Sequence, residues 1–386
     1  EVMFAIFNGF CAWRAFSWAI NFIPSTLRMT LPFVFAFFFG YRALDNLTAL
    51  LELHRVDKNS RLAWKLFEER LYTDNRARYM EVRPGRTLCV IHLCPEPKSP
   101  PPKGLIFFIH GSMARLGQFD AQIKYFFHEQ NYEVVAYDFF GMGRSPKSTK
   151  IPRAYSTAAH TADMIALYNR VVMERGGSAP LPVHVVGHSF GCSQALRLGL
   201  HAFTSSPAVA FKLSSITLLG AGIPSAEKKR AIQQIFGLPL SVLRLLHPFL
   251  STGFRERALD ANTIRDGLAR PLDSVSGQLL RYVDATSGVN PMHVVSPFYL
   301  QSDFICQKEV ARLAVLAKLN ACRFALITGE SDQLCPVDSA QEILEWLDLP
   351  RSSLHLIEAA SHQVMQEKPS QVNAIMLEVM SGSKRE

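Results

Sequence analysis

The sequence predicts an α/β protein whose sheet is mostly parallel and carries helices on both faces. From about residue 104 onward, short runs rich in β-branched and aromatic residues alternate with longer segments of helical periodicity, a pattern typical of parallel sheets. A hairpin precedes this alternation, so we expect an antiparallel start to the sheet. About 100 residues interrupt the alternation after the sixth predicted strand, which predicts a helical cap inserted there.

The elements follow from local pattern in chain order. The stretch "YMEVRPGRTLCVIHL" (79–93) has two β-rich runs around Pro84 and Gly85, which indicates a hairpin. A loop rich in Pro and Lys (95–103) leads to the alternating part. Further strands are predicted at 104–109, 132–137, 182–187, 213–219, 322–328 and 353–357, and helices at about 117–130, 157–175, 190–203, 338–347 and 369–381.

Composition limits the protein class. The chain has 386 residues, of which 48% are hydrophobic and 19% charged, so it can bury a large core. Its seven cysteines form no C-x-x-C pair, which signals neither a disulfide framework nor a zinc site and favours a reducing, intracellular compartment. The net charge of +8 comes without a nucleic-acid signature. An anionic membrane surface is therefore the expected partner.

The N-terminal segment 2–41 is strongly apolar and contains only two charged residues, Arg14 and Arg28. The apolar stretch after each arginine is 13 residues long, about 20 Å as a helix against a hydrocarbon core of about 30 Å. Interfacial or re-entrant helices broken at Pro24 and Pro32 would avoid burying a charge in the bilayer. We expect membrane association. A signal peptide, or helices packed on the protein's own surface, are the alternatives.

These observations predict five parts of the chain. They are a membrane-associating segment (1–41), linking helices (42–78), the first part of the α/β core (79–221), the helical cap (222–318) and the second part of the core (319–386).

The stretch "VHVVGHSFGCS" (183–193) places Ser189 between Gly187 and Gly191 where a strand ends and a helix begins. A G-x-S-x-G motif in this context predicts a nucleophile elbow, a turn so tight that the serine adopts a strained backbone conformation. An ordinary glycine turn is the alternative. The context of strand and helix favours a serine nucleophile.

A serine nucleophile needs a base and an acid that orients the base. After the strand "FALIT" the loop "GESDQLCPV" offers Asp332, with Glu330 as an alternative. After the strand "LHLIE" the loop "AASHQVM" offers His362. Because the carboxyl ends of parallel strands meet at one sheet edge, we expect Ser189, Asp332 and His362 to form a catalytic triad.

An acyl-transfer site also needs donors for the oxyanion, commonly backbone N–H groups. The N–H of Phe190 begins the helix after the nucleophile, where unpaired amides and the helix dipole favour negative charge. The loop after the strand "LIFFI" begins with His110, Gly111 and Ser112. We expect the Ser112 N–H to be the second donor, with His110 and Gly111 shaping the loop.

The segments "FFIHGS", "YDFFGMGRS", "GHSFG", "GESDQLCPV" and "ASHQVMQEKP" together resemble the successive signatures of the α/β-hydrolase fold superfamily, over residues 79–383. Within this superfamily the sequence resembles the eukaryotic, lipid-directed α/β-hydrolase domain-containing proteins. The resemblance implies the same triad, the same oxyanion donors and a structural D-x-x-G-x-G-x-S turn, here Asp138, Gly141, Gly143 and Ser145.

Some lipid-acting relatives carry an Asp five positions after the His, a feature associated with acyltransferase activity. This sequence departs from that pattern, because Glu367 stands five positions after His362. The departure weakens an acyltransferase interpretation, which remains an alternative.

The cap contains apolar, helix-compatible segments at 235–250 and 276–283, which suit an acyl chain better than a sugar or a peptide. We therefore expect hydrolysis of a lipid or acyl ester or thioester. A serine nucleophile argues against epoxide and haloalkane hydrolysis, which use Asp. The other alternative is a non-catalytic binding module at a membrane. No metal-ligand cluster, phosphate loop or dinucleotide motif is present, so neither metal nor cofactor is predicted, and the oligomeric state is left open.

Overall fold

The structure is a computed structural model of the chain. The described residues all fall within one compact unit, Val56–Glu386. They are 72–96, 100–112, 114–146, 155–174, 181–204, 212–223, 305–332 and 334–382, together with Arg230 and Gln234.

The described residues form one eight-stranded sheet with the order β1-β2-β4-β3-β5-β6-β7-β8. The pairs β1–β2 and β2–β4 are antiparallel and all the others are parallel. This is the predicted architecture. The strands are β1 Arg78–Arg83, β2 Arg86–Leu93, β3 Leu105–Ile109, β4 Glu133–Asp138, β5 Pro182–His188, β6 Lys212–Leu219, β7 Arg323–Gly329 and β8 Leu354–Ile357.

Helices cover both faces of the sheet. Within the described ranges, the helices with defined bounds are α1 Asp120–Lys124, α2 Thr157–Glu174, α3 Phe190–Thr204, α4 Gln307–Leu319, α5 Val337–Trp346, α6 Val364–Glu367 and α7 Pro369–Ser381. Two buried clusters lie on opposite faces. One includes Leu167 of α2 and Leu313 of α4, and the other includes Ile123 of α1 and Met376 of α7. Strands such as β3 are buried along their whole length, as expected for a parallel sheet covered on both sides.

Two predicted elements differ in detail. The helix predicted over 117–130 is divided into a 3₁₀ turn (Leu116–Phe119), α1 and a π-helical turn (Tyr125–Glu129). Helix α4 lies at the C-terminal end of the predicted cap, yet its buried side packs in the core cluster with α3 and β6. The predicted cap boundary at residue 318 therefore falls inside a helix of the α/β core.

Several predictions concern residues outside the described part. These are the segment 2–41, most of the linking helices at 42–78, and the apolar cap segments 235–250 and 276–283. Among the residues that are described, no helix has both the length and the apolar character needed to cross a bilayer.

Candidate active site

The turn between β5 and α3 has the geometry of a nucleophile elbow. Ser189 has φ of 51°, a left-handed conformation that costs a residue other than glycine about 1–3 kcal/mol. A Cβ on Gly187 would lie 2.3 Å from the carbonyl oxygen of Gly191, and a Cβ on Gly191 would lie 2.2 Å from that of Ile109. Neither position can carry a side chain, because the backbone of a neighbouring segment already lies where the Cβ would be. Ser189 is held by its N–H, which donates to the Leu219 carbonyl at 3.0 Å.

The loops after β7 and β8 bring an acid and a base together. Nδ1 of His362 lies 2.8 Å from Oδ2 of Asp332, and both side chains are buried. The other carboxylate oxygen, Oδ1, accepts hydrogen bonds from the N–H groups of Leu334 (2.9 Å) and Cys335 (2.8 Å). Because a carboxylate accepts, this arrangement puts the proton of His362 on Nδ1 and leaves a lone pair on Nε2. The alternative acid, Glu330, is exposed, and it is Asp332 that contacts His362.

The ends of β5, β6 and β8 bring the elbow, Gly220 and the His362 loop to the same edge. Gly220 follows β6 with φ of 54°, and a Cβ there would lie 3.3 Å from Nδ1 of His362 and 3.4 Å from Oδ2 of Asp332. On the other side, the rings of His188 and His362 lie 4.7 Å apart between centroids. Since His188 directly precedes Ser189, the base lies next to the elbow.

His188 supports the base rather than the nucleophile. Its Nε2 donates to the backbone carbonyl of His362 at 2.8 Å. Burial lowers the pKa of His188 well below its ordinary value, and the nearby His362 lowers it further, so the ring stays neutral. The sequence predicted packing or support for this side chain. The observed hydrogen bond ties the residue before the nucleophile to the backbone of the base.

Glu367 holds the His362 loop from the other side. Its carboxylate accepts hydrogen bonds from the N–H of Ser361 (2.5 Å) and from the N–H of Gln363 (3.1 Å), and a third from the Ser361 hydroxyl. Burial raises the pKa of Glu367 and outweighs the opposing effect of these hydrogen bonds. The donors flank His362 on both sides in the chain. Glu367 therefore fixes the backbone that carries the base.

The loop predicted to supply an oxyanion donor lies against the nucleophile. A Cβ on Gly111 would lie 3.3 Å from Cβ of Ser189 and 2.8 Å from Nδ1 of His188, so only glycine fits there. Ser112 follows in this loop, and Phe190 begins α3 directly after the nucleophile. The loop that carries Ser112 therefore approaches Ser189 at Gly111, and Phe190 follows Ser189 directly in the chain.

His110 gives this loop its shape. Its Nε2 accepts a hydrogen bond from the Phe139 N–H at 3.0 Å, which leaves Nδ1 to donate to the Gly111 carbonyl at 2.7 Å. Burial lowers the pKa of His110 to about 4. The ring is therefore neutral near pH 7 and can keep one donor and one acceptor in place.

Gln118 is a site residue that the sequence did not indicate. Its Oε1 accepts from the Gly111 N–H at 3.1 Å, and its Nε2 donates to Oε1 of Gln363 at 2.6 Å. Gln118 therefore connects the predicted oxyanion loop to the loop of the base. A lone glutamine at the start of a helical segment carries no sequence signal for this function.

The D-x-x-G-x-G-x-S turn is stabilised around Asp138. This buried carboxylate accepts hydrogen bonds from the Leu116 N–H (2.7 Å), the Arg144 N–H (2.8 Å) and the Tyr72 hydroxyl (2.8 Å). A Cβ on Gly143 would lie 2.3 Å from the Asp138 carboxyl group. These contacts agree with the structural function that the resemblance implied for the turn.

The sheet order and the elbow at the end of β5 define an α/β-hydrolase. Comparison with known families is consistent with this class, because the model described as "Serine aminopeptidase, S33" matches residues 100–369. The chain belongs to this family.

Curated proteins of similar sequence match most of the chain. Protein ABHD8 from Mus musculus and from Homo sapiens is 29% identical to the chain over 309 residues, which cover 77% of the chain. The matched region spans 61% of the mouse protein and 60% of the human protein, so the chain corresponds to only part of these relatives.

Solved structures agree on the fold. The meta-cleavage product hydrolase from Pseudomonas fluorescens superposes with a TM-score of 0.53 at 17% identity, covering 80% of this chain and 98% of that structure. An esterase from Exiguobacterium antarcticum gives 0.54 at 14% identity, covering 78% and 98%. At these identities the likeness concerns the fold alone.

Proposed function

We propose that this protein is a serine hydrolase that cleaves an ester or thioester of a lipid or acylated substrate through an acyl-enzyme. The observation that carries the proposal is the 2.8 Å contact between His362 and Asp332, next to Ser189 in a strained elbow. A strained serine, a base with a free Nε2 and an orienting carboxylate are the three parts that nucleophilic acyl transfer requires.

In the first half of the proposed reaction, Nε2 of His362 takes the proton of the Ser189 hydroxyl as Oγ attacks the substrate carbonyl. The resulting oxyanion accepts hydrogen bonds from the backbone N–H groups of Ser112 and Phe190. Asp332 stabilises the imidazolium that forms. The imidazolium then gives its proton to the departing alcohol or thiol, and the acyl group remains on Ser189.

In the second half, His362 removes a proton from water, and the hydroxide oxygen attacks the acyl-enzyme carbonyl. Collapse of this intermediate releases a carboxylic acid and returns the proton to Ser189. A lipid acyltransferase would use the same acyl-enzyme with an alcohol acceptor in place of water. The sequence does not favour this alternative, because Glu367 stands where the acyltransferase-associated pattern has an Asp.

The lipid part of the proposal is supported by the sequence. Segments 235–250 and 276–283 would form an apolar ceiling over Ser189, and segment 2–41 together with the net charge of +8 would hold the protein at an anionic membrane. Removal of residues 2–41 should release the protein to the soluble fraction and leave turnover of a short, soluble ester intact. A truncated protein that still pellets with membranes at high salt would contradict the assignment of the anchor.

Labelling of the full chain with a fluorophosphonate probe, which modifies activated serines, tests the catalytic assignment. We expect stoichiometric labelling that Ser189→Ala abolishes while the protein remains folded. Ser352→Ala, at an exposed serine in the turn Arg351–Ser353, is the matched control and should label like the parent protein. Labelling that persists in Ser189→Ala would refute the nucleophile. No labelling of the folded parent protein would favour a non-catalytic binding module.

A further inference from the structure

The antiparallel pairing of β2 with β4 brings together three side chains of metal-ligating type, two from the end of β2 and one from the start of β4. In this ladder Leu93 pairs with Val134 and His92 with Val135. Continuing the register by one step places Cys94 opposite Glu133. Since side chains alternate between faces along each strand and directly opposed residues share a face, His92, Cys94 and Glu133 all point to the same side of the sheet.

The side-chain atoms of these three residues converge. Nε2 of His92 lies 2.7 Å from Oε1 of Glu133 and 3.3 Å from Sγ of Cys94, and the possible ligand atoms of all three lie within 4.8 Å of one another. Glu133 is fully buried, the His92 side chain is 8% exposed, and Cys94 is exposed. One imidazole, one thiol and one carboxylate therefore meet at a point open to solvent on one side.

We propose that His92, Cys94 and Glu133 form a binding site for a Zn²⁺ ion. Zinc combines imidazole, thiolate and carboxylate ligands, whereas Ca²⁺ and Mg²⁺ prefer oxygen ligands alone. A tetrahedral ion with bonds of about 2.0 Å to nitrogen and oxygen and about 2.3 Å to sulfur separates its nitrogen and sulfur ligands by about 3.5 Å. The observed 3.3 Å between His92 and Cys94 is close to this value.

The third ligand requires a small shift. A tetrahedral ion separates nitrogen and oxygen ligands by about 3.3 Å, whereas His92 and Glu133 lie 2.7 Å apart because they share a proton. Replacing that proton by the ion requires an opening of about 0.6 Å, which a change in side-chain torsions can supply. Water completes the fourth position on the exposed side.

The site lies away from the proposed catalytic centre. Glu133 begins β4, whereas Asp138 at the other end of the strand belongs to the edge that carries Ser189. Five residues of strand separate these ends by about 16 Å. The ion would join the end of β2 to the start of β4, at the base of the Pro-rich loop 95–103. Its function is therefore structural, and its binding should leave the labelling rate of Ser189 unchanged.

The test measures binding of Zn²⁺ alone to the full chain after removal of metal with a chelator. Calorimetric titration should give one Zn²⁺ per chain. Co²⁺ as a spectroscopic substitute should show a thiolate-to-cobalt charge-transfer band. Cys94→Ser should weaken zinc binding at least about tenfold, because mutation of a residue that only hydrogen-bonds to a metal ligand already lowers metal affinity by about this factor. The same variant should abolish the charge-transfer band. Glu133→Gln should weaken zinc binding but keep the band.

Cys306→Ser provides the matched control, because Cys306 is also exposed but lies at the start of α4. This variant should bind Zn²⁺ and Co²⁺ like the parent protein. Because Cys94 is exposed, Cys94→Ser should fold normally, which circular dichroism checks. Equal zinc affinity in Cys94→Ser and the parent protein would overturn the proposal. The absence of zinc binding by the parent protein, or a Co²⁺ complex without the thiolate band, would also overturn it.

Discussion

Glu367→Gln tests whether the buried carboxylate positions the catalytic base. Glutamine has nearly the same shape but replaces one acceptor oxygen by an NH₂ donor. If the glutamine oxygen takes the place of Oε1, the hydrogen bonds from the Gln363 N–H and the Ser361 hydroxyl are kept. The glutamine NH₂ group then takes the place of Oε2 and faces the Ser361 N–H, which loses its acceptor. A buried N–H without a partner costs about 1–3 kcal/mol. We expect the free energy of unfolding to fall by this amount.

The same change should slow catalysis beyond its effect on stability. The Ser361 N–H lies next to His362 in the chain, so its displacement moves the base away from Ser189. A shift of about 1 Å in a catalytic group can cost roughly 100-fold in rate. We expect fluorophosphonate labelling of Ser189 to be about 10–100-fold slower, measured well below the unfolding temperature so that only folded protein reacts. Glu367→Asp, which keeps both oxygens, should recover part of the rate.

Two measurements separate positioning from simple stabilisation. Urea unfolding gives the loss of stability, and the labelling rate of the folded protein gives the effect on the site. Glu342→Gln, at an exposed position in α5, is the matched control and should change neither value. A destabilised Glu367→Gln protein that labels at the parent rate would refute the positioning argument. A variant with unchanged stability would show that the carboxylate contacts carry no net free energy.

Three further predictions follow from the site and its surroundings. His362→Ala should abolish labelling, and Asp332→Asn should slow ester turnover by about 10⁴-fold through the wrong histidine tautomer; near-parent turnover of either variant would contradict the triad. Burial lowers the pKa of His110 to about 4 and that of His184 to about 3. As the pH falls below about 6.5, these two histidines therefore become protonated in the unfolded chain before they do so in the folded protein. The free energy of unfolding, measured with urea, should fall between pH 6.5 and pH 4, and His110 should account for at most about 3 kcal/mol of this fall. A free energy of unfolding that does not change over this pH range would contradict the inference that the buried histidines are neutral. In a series of 4-nitrophenyl esters, kcat/KM should rise about fourfold for each methylene that the cap buries, and Leu245→Gln should flatten the rise; a preference for acetyl would contradict the lipid proposal.

The sequence was sufficient to predict the element order and the candidate triad. Strands such as Leu105–Ile109 are continuous apolar runs, and helices such as Thr157–Glu174 show a 3.6-residue period, so each element is determined largely within its own segment. Ser189 follows β5 directly, and Asp332 and His362 lie in the loops after β7 and β8. Because parallel strands end at a common edge, element order alone brings these residues to one place.

The tertiary structure alone decided how the catalytic site is held and where the proposed zinc ligands meet. Gln118 and Gln363 are 245 residues apart in the chain, His188 and His362 are 174 apart, and His92 meets Glu133 across 41 residues. Each contact depends on strand order, on register or on the exact path of a loop. A polar residue in a helix or strand has no local pattern that encodes a distant partner, since its hydrogen bond forms only after the sheet has assembled.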